Sequence, residues 1–326
     1  MGRKLLAEAH YVSNWTSLVG ALEGALRYLG GALSTSYVMG VTGHAFRIAV
    51  ARSAEGLTGG DGPQRADYER ALPLYQGLGR EVTYLYAIRA RDPAYERHRE
   101  LIIKRIRDGI DRGLPAVAYD LHLPEFGLIK GYDTRARTFA VSTQLSAQYG
   151  ETLPWEQWPV PGREEAVHVF LLGKPLRVDR REAELRALRF AVRYLEEGEP
   201  RLRHVAAGFA AWERWLRAFQ EGEAVSPSGN ALLVQAVLSA RAHAARFLRE
   251  IAPDYTPAVA VAMKQAAAAY DALALPLSRL ATMFPYPAGG NTASVALRRE
   301  AAHELRRALE HEREAATQLR AALEAL

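Results

Sequence analysis

The sequence predicts an α+β protein, with an antiparallel sheet in its N-terminal domain and an all-α helical bundle after it. Three observations carry this. Before residue 176, turn residues and β-like runs are frequent; after it, helix formers dominate. Four strand-like runs follow two or three helical stretches in the first part. Five long helical segments fill the second part. The chain has 326 residues, enough for two domains at roughly 150 residues each. The expected domains are residues 1–176 and 177–326.

In chain order, residues 15–30 read as a helix, because Leu18, Ala21, Leu22, Ala25, Leu26 and Leu29 share a face. Asn14 is the expected N-cap and Gly30-Gly31 the stop. Residues 34–39 start a second short helix. Gly40 to Phe46 is a glycine-bracketed turn that runs into an apolar stretch, and Gly59 to Pro63 a loop. Residues 65–78 hold a short helix. Residues 81–87 alternate as a strand through Val82, Tyr84 and Tyr86. Asp92-Pro93 opens a helix to about residue 112, with Ile102, Ile103, Ile106 and Ile110 on its buried face. The four strands are expected at 115–121, 125–132, 138–142 and 166–172. The helices of the second domain are expected at 179–197, 201–220, 228–251, 256–283 and 292–325. The apolar stripe of the last one breaks register at Glu312.

Composition narrows the chemistry. There is no cysteine, which excludes disulfides, thiolate metal sites and a cysteine nucleophile. The net charge of +5 comes from 42 basic and 37 acidic residues that are interspersed, as in Asp179-Arg180-Arg181-Glu182. That reads as a solvated mixed-charge surface, not a nucleic-acid interface. No span reaches the ~18 uninterrupted apolar residues of a membrane helix. Glu8 and His10 interrupt the start of the chain, so a signal peptide is not expected and a cytoplasmic location is. No histidine pair has the spacing of a helix-borne zinc site, and no glycine run matches a phosphate or dinucleotide loop, so neither a metal nor a cofactor is expected.

Three stretches together carry a resemblance. They are residues 17–30 (Ser17 to Gly30), residues 33–46 (Leu33 to Phe46), and Gly113-Leu114-Pro115 followed by Glu125 to Asp133 with its Gly131-Tyr132-Asp133 end. Residues 10–145 resemble the N-terminal domain family of the butirosin-biosynthesis acyltransferase BtrH, and more distantly the papain-like peptidases that process bacteriocin leaders. The resemblance implies a papain-like fold for the first domain. It also implies a catalytic set of Cys at the start of the first helix, His at the start of a strand, and Asp after the next strand. Carried onto this chain, those positions hold Ser17, Glu125 and Ser142 or Thr143, with Thr16 before the nucleophile position.

Each member of the set is therefore changed. A hydroxyl at a helix N-terminus keeps the favourable dipole but needs a strong base beside it. Glu125 serves as that base only if burial raises its pKa, and His122, in the turn just before it, is the substitute. The first expectation is a degenerate, non-catalytic protein binding a small molecule or peptide through Trp15, Thr16, Ser17, Tyr37, His44, Glu125 and Ser142. The second is an acyltransferase or amide hydrolase using Ser17, with Glu125 or His122 as base and an acyl carrier protein as partner. The third is a scaffold or homo-oligomer formed through the helical domain. Trp155 and Trp158 are expected in a loop over the groove, and Trp212 and Trp215 in the bundle core.

Overall fold

The computed structural model describes residues 2–53, 56–58, 62, 65–199 and 205–326. Among the described residues it is α+β, with ten helices. In chain order come β1 (Arg3–Leu5), α1 (Ser17–Tyr28), α2 (Thr35–Val41), β2 (Ala49–Ser53), β3 (Gly56–Leu57), α3 (Tyr68–Gln76), β4 (Arg80–Ile88) and α4 (Tyr95–Asp111). Next are β5 (Ala116–Tyr119), β6 (Phe126–Asp133), β7 (Thr138–Ser142), α5 (Ser146–Tyr149), β8 (Thr152–Pro154) and β9 (Ala166–Pro175). The chain finishes with α6 (Arg180–Glu197), β10 (Val205–Ala207), α7 (Phe209–Gln220), α8 (Pro227–Ile251), α9 (Pro257–Met283) and α10 (Val295–Glu324).

Two compact units result: residues 2–38 with Tyr68–Val178, and Met39–Asp67 with Asp179–Leu326. A single division at residue 176 misses the excursion: the segment Met39–Asp67 groups with the helices. The reason is local pairing, since β2 lies antiparallel to β10, with Ala51 opposite Val205 and Ala49 opposite Ala207.

The first unit is an antiparallel sheet in the order β4-β9-β5-β6-β7-β8, with β1 paired to β6. Strand alternation gives each face its own partners. On one face Ala116, Ala118, Ile129, Val167 and Val169 pack against Ile102, Ile103, Ile106 and Ile110 of α4. Trp155 and Trp158 belong to this core, 6% and 0% exposed. They fill the sheet–α4 layer and do not form the loop over a groove that the sequence suggested. Their carbonyls are held by the Arg99 guanidinium, and the Trp158 indole donates to Tyr119 O at 2.8 Å. Helix α1 lies against β6 and β5, with Leu18, Val19, Leu22, Ala25 and Leu26 buried. Gly24 lets the preceding chain lie directly on α1: a Cβ there would sit 2.2 Å from His10 O.

The second unit is helical, with a small sheet in the order β10-β2-β3. Its core joins Ile48 and Val50 to Trp212, Trp215, Leu233, Leu273, Leu277, Leu305 and Leu309. Both tryptophans are fully buried, and the Trp215 indole donates to Asn230 Oδ1 at 2.8 Å. The helix expected from residue 201 starts at Phe209; residues 205–207 form β10, and residues 200–204 lie outside the described residues. Most of the loop expected at residues 59–63 also lies outside them. Helix α9 is long and apolar enough by composition to cross a membrane, but half of its most apolar window is buried in the protein. Val259, Met263, Tyr270, Leu273 and Leu277 form that buried face.

Candidate functional site

The site is built where α1 begins. Asn14 was the expected cap, but the helix starts at Ser17 with Thr16 in the N-cap position. Asn14 acts one step earlier: its Oδ1 accepts the Thr16 amide at 2.8 Å, and Thr16 O then receives the Val19 and Gly20 amides. The Thr16 side chain makes no cap bond, and its buried Oγ1 has no hydrogen-bond partner.

Ser17 is 4% exposed, and its Oγ accepts the backbone amide of Phe126 at 3.0 Å. Phe126 is the first residue of β6, so Glu125 sits immediately beside the helix start. Ser142, the last residue of β7, is buried and accepts the Tyr11 amide at 3.0 Å. The Tyr11 phenol donates to Asn14 O at 3.3 Å and lies 3.5 Å from Gln144 Oε1. Burial, reinforced by the charge of Glu125, pushes the Tyr11 phenol well above its ordinary pKa. The phenol therefore stays protonated as a hydrogen-bond donor.

The helix start, the β6 start and the β7 end thus converge through Tyr11 and Asn14. Ser17, Thr16, Glu125 and Ser142 belong to this one neighbourhood. Trp15 stands at its rim, 39% exposed. Thr143 continues the chain beyond Ser142 and is engaged locally, its amide donating to Ser146 Oγ at 2.8 Å.

His122 lies in the turn between β5 and β6, where Asp120 and His122 both adopt positive φ (61° and 75°). Asp120 anchors this turn by accepting the Val160 amide at 2.8 Å and Arg163 Nη1 at 2.6 Å. The His122 ring stacks on Tyr149, centroids 5.9 Å apart, and its buried Nε2 has no partner. Burial holds the imidazole below its usual pKa, so it is neutral near pH 7; a hydrogen bond with the Gly150 backbone opposes the shift.

Two expected members do not join this set. His44 is completely buried and belongs to the helical unit. Tyr37 is 3% exposed in α2, where its amide donates to Ser34 Oγ at 2.9 Å. Neither presents an accessible side chain to a ligand.

An aromatic cluster was missed as a set. Phe126 contacts Tyr119 across the β5–β6 pair (5.2 Å between centroids) and Tyr68 of α3 (6.0 Å). Tyr68 also meets Tyr84 and His168. The Tyr84 hydroxyl and His168 Nδ1 are 2.6 Å apart. The signal was present in the strand alternation: Tyr84 and Tyr86 on one strand, and His168 and Phe170 on the other, fall on the same sheet face.

Among the described residues, no three His, Asp or Glu side chains gather as a metal-ligand set. A scan against models of known families finds no match to this chain, and a search of curated proteins finds none either. The fold and site define an α+β protein with a hydroxyl-rich polar cluster at a helix N-terminus.

Proposed function

We propose that the sheet unit is a degenerate papain-like binding domain, related to the BtrH N-terminal domain, that holds a small molecule or peptide at the α1 N-terminus. The observation that carries this reading is the state of Ser17. Its hydroxyl is almost fully buried and already accepts the Phe126 amide. An attacking oxygen must reach its substrate and lose its proton to a base in hydrogen-bond range. The Glu125 carboxylate also lies close enough to the Tyr11 phenol for its charge to help keep that phenol protonated. The surroundings offer a carboxylate, hydroxyls and a protonated phenol, with the exposed indole of Trp15 at the rim, which suits recognition.

The convergence of helix start, strand start and next strand end supports the papain-like assignment, because the family's catalytic set occupies those three places. The Phe126 amide on Ser17 Oγ also favours a second reading, since a donated N–H stabilises an alkoxide; this is the acyltransferase or amide hydrolase using Ser17. One experiment separates the two. A thermal-shift screen with short peptides, amines and acyl esters is run on wild type, Ser17→Ala and Glu125→Gln. The binding reading expects a shift in wild type that Glu125→Gln weakens and Ser17→Ala keeps, with no turnover. Turnover of an acyl ester that Ser17→Ala abolishes overturns it in favour of the enzyme.

A further inference from the structure

We propose that the protein forms a symmetric dimer by pairing strand β4 with β4 of a second copy. The inference is independent of the α1 site. β4 is the terminal strand of the sheet: one side pairs with β9, and no strand pairs with the other among the described residues. It is nine residues long, about 30 Å of edge at ~3.3 Å per residue. A strand edge carries unpaired backbone N–H and C=O groups and is a template for another strand unless something blunts it. The usual blunting devices sit only at the start of β4, where a register irregularity falls between Arg80 and Val82. From Val82 to Ile88 the ladder is regular. This run contains no proline, glycine or charged residue. Glu81, Thr83 and Tyr86 are exposed, Tyr86 by 49%.

The sequence of the edge points to a second copy as the occupant. The regular run is centred on Leu85. An antiparallel pairing about that residue sets Leu85 against Leu85 of the partner. Tyr84 then faces the partner's Tyr86, Thr83 the partner's Ala87, and Val82 the partner's Ile88. Each tyrosine pair is repeated by symmetry. Tyr84 and Tyr86 already stack within one chain, centroids 5.4 Å apart and planes 17° from parallel, so the pairing extends that stack across the two-fold axis. Cross-strand aromatic pairs of this kind stabilise antiparallel ladders. An isologous interface requires such self-complementarity, and an arbitrary peptide would not select for it.

The absence of native cysteine makes the test sharp. Directly opposed residues in an antiparallel pair have Cα atoms about 4.5–5.5 Å apart, within the range a disulfide spans. Residues four positions out of register lie roughly 13 Å apart at ~3.3 Å per residue and are not bridged. Full-length Leu85→Cys and Thr83→Cys are oxidised mildly and run on a non-reducing gel, with the wild type examined by light scattering. The expected result is a dimeric wild type, covalent dimers from Leu85→Cys, and at least tenfold less from Thr83→Cys, since Thr83 lies opposite Ala87 of the partner. Circular dichroism confirms that both variants fold. Tyr86→Lys, an exposed change that places like charges at the symmetric contact, is expected to raise the dimer dissociation constant at least tenfold. A monomeric wild type overturns the proposal, as does equal cross-linking from the two cysteine variants or an unchanged dimer in Tyr86→Lys.

Discussion

The start of α1 and the junction of α8 with α10 bury polar groups in opposite ways. At the start of α1, Asn14, Ser17 and Ser142 accept backbone amides, and the Glu125 carboxylate lies near enough to act on Tyr11. In the helical unit, Arg241 of α8 and Glu312 of α10 form a salt bridge at 2.8 Å with both side chains 0% exposed. Arg241 Nη1 also donates to Ala45 O and Arg47 O, at 2.9 and 3.0 Å, which fastens the segment before β2 to α8. Neutral side chain-to-backbone bonds are individually modest and can be exchanged for water when the chain opens. Removing one member of a fully buried ion pair leaves the other charge desolvated and uncompensated in the folded chain, which is severely destabilising. The α8–α10 junction therefore depends on one pair of residues, whereas the α1 site spreads its polar satisfaction over several.

The sharpest way to break that contrast is Glu312→Ala. It leaves the Arg241 guanidinium buried and uncompensated, and should cost roughly 3–5 kcal/mol. Urea denaturation of wild type and variant measures it. The double change Arg241→Met with Glu312→Leu should recover part of the loss, because no bare charge remains. Recovery stays incomplete, since the Ala45 and Arg47 carbonyls lose their donor. A double variant as unstable as Glu312→Ala would show that those carbonyl bonds, not the unbalanced charge, dominate.

Glu312 also shows what a sequence can and cannot reveal. Its place in the last helix was visible as a break in the apolar stripe, but a stripe does not say whether the odd residue is solvated or paired. Only the fold supplies Arg241, 71 positions away. The same limit explains the other differences. The β5–β6–β7 meander was legible because its strands alternate and are joined by short turns. β1, β8 and β10 have three residues each, too few for a period of two to register. His44 had the chemistry of a site residue, but complete burial is a property of its neighbours. Trp155 and Trp158, bracketed by prolines, had the local signature of a loop, and it is their packing against the α4 layer that makes them core. At the α1 site, Ser17, Glu125 and Ser142 could be named in advance as candidates. Tyr11 could not, because nothing in an isolated Tyr-Val-Ser-Asn stretch marks it as the link between the end of β7 and the segment before α1.

The next prediction concerns the α1 site itself. In Gly24→Ala the new methyl would lie 2.2 Å from His10 O, a backbone atom, so residues 10–12 must move off the helix. Forced overpacking of this kind costs about 1–3 kcal/mol, less than the loss of the buried carboxylate. The displacement also pulls Tyr11 from Ser142. Any ligand held at the α1 start should then bind more weakly than the stability loss alone explains, as read by calorimetry at a temperature where the variant is fully folded. Unchanged affinity in a destabilised Gly24→Ala would place the ligand away from Tyr11.

The smallest effect compares one histidine from each unit. Burial lowers the pKa of His122 in the sheet unit and of His243 in the helical unit, where Arg246 adds to the shift. In both cases the unfolded chain binds a proton more readily than the folded one. Stability then rises with pH through the interval between the lowered folded value and the ordinary 6.5, and is progressively lost as the pH falls through it. Above that interval both imidazoles are neutral in either state and contribute no slope. His122→Gln should flatten the acid side of the Tm–pH curve without changing its neutral plateau by a comparable amount. His243→Gln should do the same separately. If the residues titrate independently, as expected for groups in different compact units, the two reductions in slope add in the double variant. A double variant no flatter than either single one would mean that acid opens both units in a single step limited by one of these histidines.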